Sequence, residues 1–328
     1  MSKQPTVLVI GLGAVGTAYG WRIQQGGAKV SVICRSNYSQ ASNAGIEIKS
    51  AIHGEGLFNP DRVFSSCAQS VADGTIYDYV IVCTKSLPNI VDPAEQIKDC
   101  ILSTKTVIVL AQNGMDIEKP FVRLFPQNPL ILTIVYISAT YNDDHSVSYS
   151  SFIKLEHSIF KKDPLEVSDI DVQTTQDFHQ LLLASGIDSI VVNNLNKARW
   201  RKLAINASVN PISVLSGGYT SGELLKIKEA HQLMKASILE IVKIAEAVLD
   251  EPLYDIPSEQ AVDEALGLFA NSPNQVPSST LRDYDNKKPM EHEVIIRNTL
   301  NMAKKHKIDV PILETMYALL VMKEAKNI

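Results

Sequence analysis

Apolar residues follow two kinds of pattern along this chain, and the change between them divides it. In the first part, apolar β-branched runs such as Thr6–Ile10, Asp78–Lys85 and Thr106–Asn113 alternate with helical stretches. Continuous apolar runs of this length are typical of parallel strands that are buried on both faces. Beyond about residue 193 the pattern is helical only. We therefore expect an α/β domain over residues 1–193 and an all-helical domain over residues 194–328.

The end of the α/β part shows a hairpin pattern followed by a helix. Leu130–Ala139 and Val147–Leu155 are predicted strands on either side of a polar turn, which would close the sheet as a hairpin. Thr174–Ala184 is predicted as a helix capped by Thr174 or Thr175.

In the helical part, one stretch carries a polar stripe. Lys197–Pro211 is predicted to be helical, and Lys202, Asn206 and Asn210 recur on one face between apolar neighbours. Such a stripe indicates either a solvated face or a polar site, and the pattern alone leaves both open. Pro211 disfavours helical geometry at the residue before it, so we expect Asn210 to lie at a kink.

Two longer helices follow in this part. Ala230–Leu249 is amphipathic, with an apolar stripe that suits the core or a homodimer interface. A further helix is expected from Pro289 to about His306.

Length, charge and cysteine usage bound the class of protein. A chain of 328 residues exceeds the usual size of a single core, and its net charge of −5 without a basic run argues against a nucleic-acid partner. No apolar run is long enough to cross a membrane and no basic leader precedes the first strand, so no membrane partner is indicated and a cytoplasmic protein is expected. The 4 cysteines lack metal-ligand spacing, so we interpret them as core thiols and expect no metal site.

A glycine-rich turn follows the first strand directly and leads into a helix. This is the context in which G-x-G-x-x-G binds the pyrophosphate of a dinucleotide. The alternative is tight helix–strand packing without a ligand. The turn comprises Gly11, Leu12, Gly13, Ala14, Val15 and Gly16.

The second strand, Lys29–Arg35, ends on a base where an NAD-specific site would carry an acid. A guanidinium suits the 2′-phosphate of the adenosine ribose, so Arg35 favours NADPH, unless it is a solvated arginine at a strand end. Lys85 and Asn113 follow later strands, and the carboxyl ends of strands face the ligand in a doubly wound sheet.

Taken in order, these motifs resemble the ketopantoate reductase (2-dehydropantoate 2-reductase) family over nearly the whole chain. Besides the glycine turn and Lys85, the resemblance rests on Gln112-Asn113-Gly114-Met115, Trp200–Asn206, Asn210-Pro211, Ser278-Ser279, Glu291 and Val310-Pro311.

The resemblance implies a fold and a set of roles. A Rossmann domain would bind NADPH, and an all-helical domain, like the C-terminal domain of 6-phosphogluconate dehydrogenase, would carry the substrate site. Lys202 corresponds to the family's general acid, and Glu291 to a catalytic glutamate beside the nicotinamide end of the cofactor. The resemblance further assigns cofactor contacts to Lys85, Asn113 and Ala139, and substrate contacts to Asn113, Asn206, Asn210 and Ser279.

The chain also departs from the family pattern. A glutamine that the family carries after the cofactor lysine is replaced by Pro88, and a substrate-site asparagine is replaced by Ser221. The Asn-Gly pair expected after Glu291 is also replaced, near Ile296-Arg297. We keep Ser221 as a substrate-site residue, although its side chain is shorter than the one it replaces.

The expected activity is the NADPH-dependent reduction of 2-dehydropantoate to (R)-pantoate, with Lys202 as the proton donor. The alternatives are a reductase for another branched or aromatic 2-oxo acid, and a protein that senses NADP(H) without catalysis. The two reductase hypotheses require a proton donor, whereas the sensing hypothesis does not.

Overall fold

The computed structural model describes residues 4–270 and 277–327, and the chain forms two compact units. The first unit holds the sheet. The second is helical and also includes two short segments that follow strands of the sheet. The first unit extends to Lys85 and over Val91–Gln112 and Glu118–Leu195, and the second comprises Ser86–Ile90, Asn113–Ile117 and the chain from Asn196.

The first unit is built on one mixed sheet. Its strands lie in the order β4, β3, β9, β8, β7, β6, β1, β2, β5, and β10 pairs with β9. They are β1 (Thr6–Ile10), β2 (Lys29–Ile33), β3 (Ile46–Ser50), β4 (Gly54–Phe58), β5 (Arg62–Phe64), β6 (Tyr79–Val82), β7 (Val107–Leu110), β8 (Leu130–Tyr141), β9 (Val147–Ile159) and β10 (Asp188–Val191).

The central strands confirm the interpretation of the apolar runs. β1 pairs in parallel with β2 and β6, and every residue of β6 and β7 is buried. β8 and β9 form the predicted antiparallel hairpin. The sequence analysis assigned no strands to the region of β3, β4 and β5, which are short and lie toward the two ends of the sheet.

The helices of the first unit include one whose predicted start is wrong. They are α1 (Ala14–Gln25), α2 (Tyr38–Asn43), α3 (Cys67–Ser70), α4 (Lys119–Leu124) and α5 (Asp169–Ala184). α5 begins at Asp169 because Ser168 caps it, in a reciprocal capping box with Asp171. Thr174 and Thr175 lie inside the helix, where each hydroxyl donates to a carbonyl oxygen one turn earlier.

The second unit consists of helices, with a π-helical segment at Glu293–Arg297 instead of a regular helix from Pro289. The helices are α6 (Leu195–Leu215), α7 (Ser221–Leu225), α8 (Lys228–Leu249), α9 (Ser258–Ala270), α10 (Ser279–Asp285), α11 (Asn298–Lys305) and α12 (Pro311–Asn327). No helix in the described part of the chain is long and apolar enough to cross a membrane.

Two helices settle open points from the sequence. The apolar stripe of α8 is core, since Met234, Ile238 and Ile241 have no exposed surface. α6 runs through Pro211 to Leu215, so Asn210 keeps helical geometry although a proline follows it. Val209 and Ile212, close to Pro211 in the chain, are buried, and this packing compensates for the backbone hydrogen bond that proline cannot make.

Candidate active site

The turn between β1 and α1 leaves backbone groups open to a ligand. Gly11 has a φ of +95°, and a Cβ there would lie 2.9 Å from the backbone nitrogen of Thr84. A Cβ on Gly16 would lie 2.0 Å from the carbonyl oxygen of Gly11, so the close approach of helix and turn requires glycine. At Gly13, the N-cap of α1, a Cβ would meet nothing within 4 Å, and no side chain caps the helix. The first N–H groups of α1 are therefore available to an anion.

The end of β2 lies on the same side of the first unit. Asn37 donates from its side-chain nitrogen to the carbonyl oxygen of Leu12 at 2.6 Å, which ties the segment after β2 to the glycine turn. Arg35 lies between the end of β2 and Asn37 in the chain and is exposed. Arg35 is thus exposed at the strand end, where its role as a phosphate ligand stays a prediction.

Two cysteine thiols near the ends of β2 and β6 have raised pKa values. Burial raises the pKa of the Cys34 thiol, beside Arg35, to about 11. Desolvation raises the pKa of the Cys83 thiol, at the end of β6, to about 12. Cys34 is buried, in agreement with its interpretation as a core residue, and Cys83 is partly buried against the core.

The ends of the next strands carry the other predicted cofactor residues of this unit. Lys85 follows β6 and is partly exposed, and the side-chain nitrogen of Gln112 donates to the carbonyl oxygen of Thr84 at 2.7 Å. Ala139 lies in β8 where the register with β9 shifts, between Ile137 and Ala139. Such irregularities leave backbone groups outside the regular ladder and are frequent beside active sites.

In the helical unit, α6 presents the polar stripe. Lys202, Asn206 and Asn210 are all partly exposed, whereas Leu203 and Ala207 are buried. The ammonium nitrogen of Lys202 donates to the side-chain oxygen of Asn113 at 2.7 Å. The structure thus brings together two predicted site residues, and the amide oxygen fixes the direction of the ammonium group.

The loop that carries Asn113 is held by backbone contacts within the helical unit. Gly114 has a φ of +105°, and a Cβ there would lie 2.7 Å from atoms of Val294. The backbone nitrogen of Met115 donates to the carbonyl oxygen of Val294 at 2.8 Å. The side chains of Arg199 and Asn298 donate to the carbonyl oxygens of Gly114 and Met115, at 3.2 Å and 2.8 Å.

Glu291 is buried, with 8% of its surface exposed, and one of its carboxylate oxygens accepts from the backbone N–H of Ser86 at 2.9 Å. Ser86 follows Lys85 directly and is itself 1% exposed. The predicted glutamate is therefore oriented by a main-chain donor next to the predicted cofactor lysine. The π-helical segment begins two residues later, and such segments are frequent at functional sites.

Ser221 and Ser279 occupy the first turns of α7 and α10, but neither is a cap. Thr220 caps α7, and Ser278 accepts from the backbone N–H of Leu281 to cap α10. The hydroxyl of Ser279 is left on an exposed residue. This arrangement leaves both serines available for other partners.

Sequence reasoning missed the residues that hold the Asn113 loop. Arg199 is adjacent to the predicted stripe and is buried, which is unusual for an arginine, but burial is not visible in the sequence. Asn298 contacts a backbone atom, so no complementary side chain could have indicated its partner. The only sequence signal was Gly114, which follows Asn113.

Comparison with known proteins gives the family. Residues 7–157 match the family model described as ketopantoate reductase PanE/ApbA, and residues 194–324 match the model of its C-terminal part. The 2-dehydropantoate 2-reductase of Nostoc sp. is 24% identical over 97% of this chain and 95% of that protein. The meiotically up-regulated gene 72 protein of Schizosaccharomyces pombe is 24% identical over 100% of this chain, but the chain spans only 59% of that protein's length.

Solved structures agree over almost the full length. The crystal structure of 2-dehydropantoate 2-reductase from Methylococcus capsulatus has 31% sequence identity and a TM-score of 0.83, covering 98% of this chain and 97% of that chain. A ternary structure of D-mandelate dehydrogenase with NADH and anilino(oxo)acetate has a TM-score of 0.85 at 18% identity, covering 98% and 99%, which is a likeness of fold. The chain belongs to the ketopantoate reductase family.

Proposed function

We propose that the protein reduces 2-dehydropantoate to (R)-pantoate with NADPH. The observation that carries this proposal is the 2.7 Å contact of the Lys202 ammonium with Asn113, on the partly exposed polar stripe of α6. A lysine fixed in this way can act on a carbonyl oxygen as a charge and as a proton donor.

The first unit fits the adenosine and pyrophosphate parts of the cofactor. The open glycine turn would hold the pyrophosphate through its backbone N–H groups. The turn comprises Gly11, Leu12, Gly13, Ala14, Val15 and Gly16. Arg35 would pair with the 2′-phosphate, and no carboxylate stands beside it in the Arg35–Asn43 segment to favour NADH. Lys85 and the backbone of Ala139 would complete the contacts. When bound there, NADPH supplies the hydride.

Lys202 has the central chemical role in this proposal. Hydride addition to the 2-oxo carbon places negative charge on the carbonyl oxygen, and an ammonium group next to that oxygen stabilises the charge and then gives up a proton. Asn113 orients the ammonium by accepting one of its N–H bonds.

The neutral polar residues would hold the rest of the substrate. Asn206 and Asn210 continue the stripe from Lys202 along α6, and Ser221 and Ser279 offer hydroxyl groups. Glu291, oriented by the Ser86 N–H, would contact the nicotinamide end of the cofactor. The asparagine and serine side chains can bind hydroxyl and carboxylate oxygens without introducing a competing charge.

A second candidate substrate is another branched or aromatic 2-oxo acid. Ser221 favours it, because a serine in place of an asparagine leaves more room and removes an amide from the substrate site. D-mandelate dehydrogenase shares the fold, so the fold itself is compatible with an aromatic substrate.

A substrate panel separates these candidates. NADPH oxidation is followed by the loss of absorbance of the reduced nicotinamide, at about 340 nm. The substrates are 2-dehydropantoate, branched 2-oxo acids and aromatic 2-oxo acids, and kcat/KM is compared across the panel. If kcat/KM is highest with 2-dehydropantoate, the proposal is supported. If kcat/KM is higher with another 2-oxo acid, that acid is the better candidate for the substrate. Tight NADPH binding without turnover of any acid would instead indicate a sensor.

Replacing Lys202 by alanine tests the proton donor. We expect kcat to fall about 10²–10⁴-fold while the Kd for NADPH changes little, since the lysine acts on the substrate oxygen. Lys243→Ala, at an exposed position of α8, is the matched control and should keep the activity. Near-normal turnover in Lys202→Ala would refute the assigned role.

A further inference from the structure

Glu324, near the end of α12, contacts both neighbours of Glu291. One carboxylate oxygen accepts from the backbone N–H of Met290 at 2.6 Å, and the other lies 2.7 Å from Nε2 of His292. One side chain therefore holds the residues immediately before and after Glu291. Its side chain is 16% exposed and that of His292 is 4% exposed, so water competes weakly for these bonds.

Further groups keep this arrangement in place. The His292 ring stands edge-on to the Tyr317 ring, with centroids 5.7 Å apart, and the Tyr317 hydroxyl donates to Glu293 at 2.6 Å. Nδ1 of His292 lies 3.4 Å from the same Glu293 carboxylate, and the Arg297 guanidinium lies over the Tyr317 ring. The imidazole is thus enclosed between two carboxylates, with an arginine nearby, and its orientation is fixed.

The effect on Glu291 follows from the geometry. The Pro289–Met290 peptide group and the His292 ring cannot move away without breaking a hydrogen bond to the Glu324 carboxylate. Charge-assisted bonds of this kind are about twice as strong as neutral ones. Glu291 in turn reaches the Ser86 N–H at 2.9 Å. The direction of the Glu291 carboxylate therefore depends on a residue of the C-terminal helix.

We propose that Glu324 is a positioning residue for Glu291, acting through Met290 and His292. This inference rests on the proposed function only where it concerns catalysis. If Glu291 contacts the nicotinamide end of the cofactor, loss of Glu324 impairs the alignment for hydride transfer without removing any contact to substrate. Misplacement by about 1 Å costs up to about 10²-fold in rate.

Kinetics with a double-mutant cycle test the catalytic part. Glu324→Ala is expected to lower kcat about 10- to 100-fold with little change in KM for the 2-oxo acid. Glu324→Gln is expected to lie between, since its amide oxygen can accept from Met290 or from His292 but not from both. In a Glu291→Ala background, Glu324→Ala should have no further effect. Glu314→Gln, an exposed glutamate on the same helix, is the control and should behave as the wild type.

Hydrogen exchange tests the positioning without cofactor or turnover. The Ser86 N–H is bonded to Glu291, so Glu324→Ala is expected to raise the Ser86 exchange rate about tenfold or more. Glu291→Ala is expected to have the same effect, and Glu314→Gln none.

The outcomes are distinct. An unchanged Ser86 exchange rate in Glu324→Ala overturns the proposal, and so does an effect on kcat that adds to that of Glu291→Ala. If the wild type oxidises NADPH with no 2-oxo acid, the proposed function fails, while the exchange at Ser86 still decides whether Glu324 positions Glu291.

Discussion

Gly114 is the position where a single methyl group should disturb the candidate active site most directly. Its φ of +105° is unfavourable for any residue with a side chain, and a Cβ would lie 2.7 Å from the Cβ, Cγ2 and carbonyl oxygen of Val294. The same carbonyl accepts from Met115. Gly114→Ala must therefore displace the loop or the π-helical segment, and with the loop the amide of Asn113 that orients Lys202.

The cost has two parts. A positive φ in an alanine costs about 1–2 kcal/mol, and forcing a methyl group into a packed site costs about 1–3 kcal/mol. We therefore expect Gly114→Ala to lower the free energy of unfolding of the helical unit by about 2–5 kcal/mol. In the variant that still folds, kcat should fall while NADPH binding through the glycine turn is retained.

Gly217→Ala separates the two parts. Gly217 has a φ of +94°, close to that of Gly114, but a Cβ there would meet nothing within 4 Å. Urea unfolding followed by tryptophan fluorescence measures both variants. Trp200, fully buried in α6, reports on the helical unit, and Trp21 in α1 reports on the first unit. The control should show only the backbone cost of about 1–2 kcal/mol. Equal losses in the two variants, or an unchanged kcat in Gly114→Ala, would refute the argument from the Val294 contact.

Two further predictions concern the first unit. Arg35→Asp should raise the Kd for NADPH about tenfold or more relative to that for NADH, because it would remove the proposed charged hydrogen bond to the 2′-phosphate. Fluorescence titration with both cofactors checks this, and equal losses contradict it. Burial, and then the nearby His179, lower the pKa of His157 from 6.5 to about 4. The unfolded chain therefore binds a proton that the folded protein resists, so the free energy of unfolding should fall by about 3 kcal/mol from pH 6.5 to pH 4, and His157→Gln should flatten this dependence in urea unfolding.

The sequence was informative where one element carries the whole signal. The strands β1, β6 and β7 are buried on both faces, so each reads as an unbroken apolar run. The glycine turn needs no partner to be recognised, because its residues are constrained by the turn itself. The stripe of α6 also lies within one helix, and the helical period alone puts Lys202, Asn206 and Asn210 on one face.

The sequence was misleading where two local signals competed. Thr174 and Thr175 are good cap residues, but Ser168 and Asp171 together satisfy two backbone donors, and this longer helix is preferred. Pro211 disfavours helical geometry at Asn210, yet α6 stays helical through both residues, with Val209 and Ile212 buried. In both cases the free energy of the helix depends on contacts with other residues. The intrinsic helix or capping propensity of a single residue does not include these contacts.

The amino-acid pattern thus predicted a glycine turn, an α/β part, a helical part and a polar stripe, since each of these depends on residues close in the chain. The contacts around the stripe required folding. Asn113 and Lys202 are 89 residues apart, and Ser86 and Glu291 are 205 apart. Val294 and Met115 meet through backbone atoms, which are the same for every residue type. Contacts of this kind leave no trace in the sequence, because any side chain that permits the approach would serve.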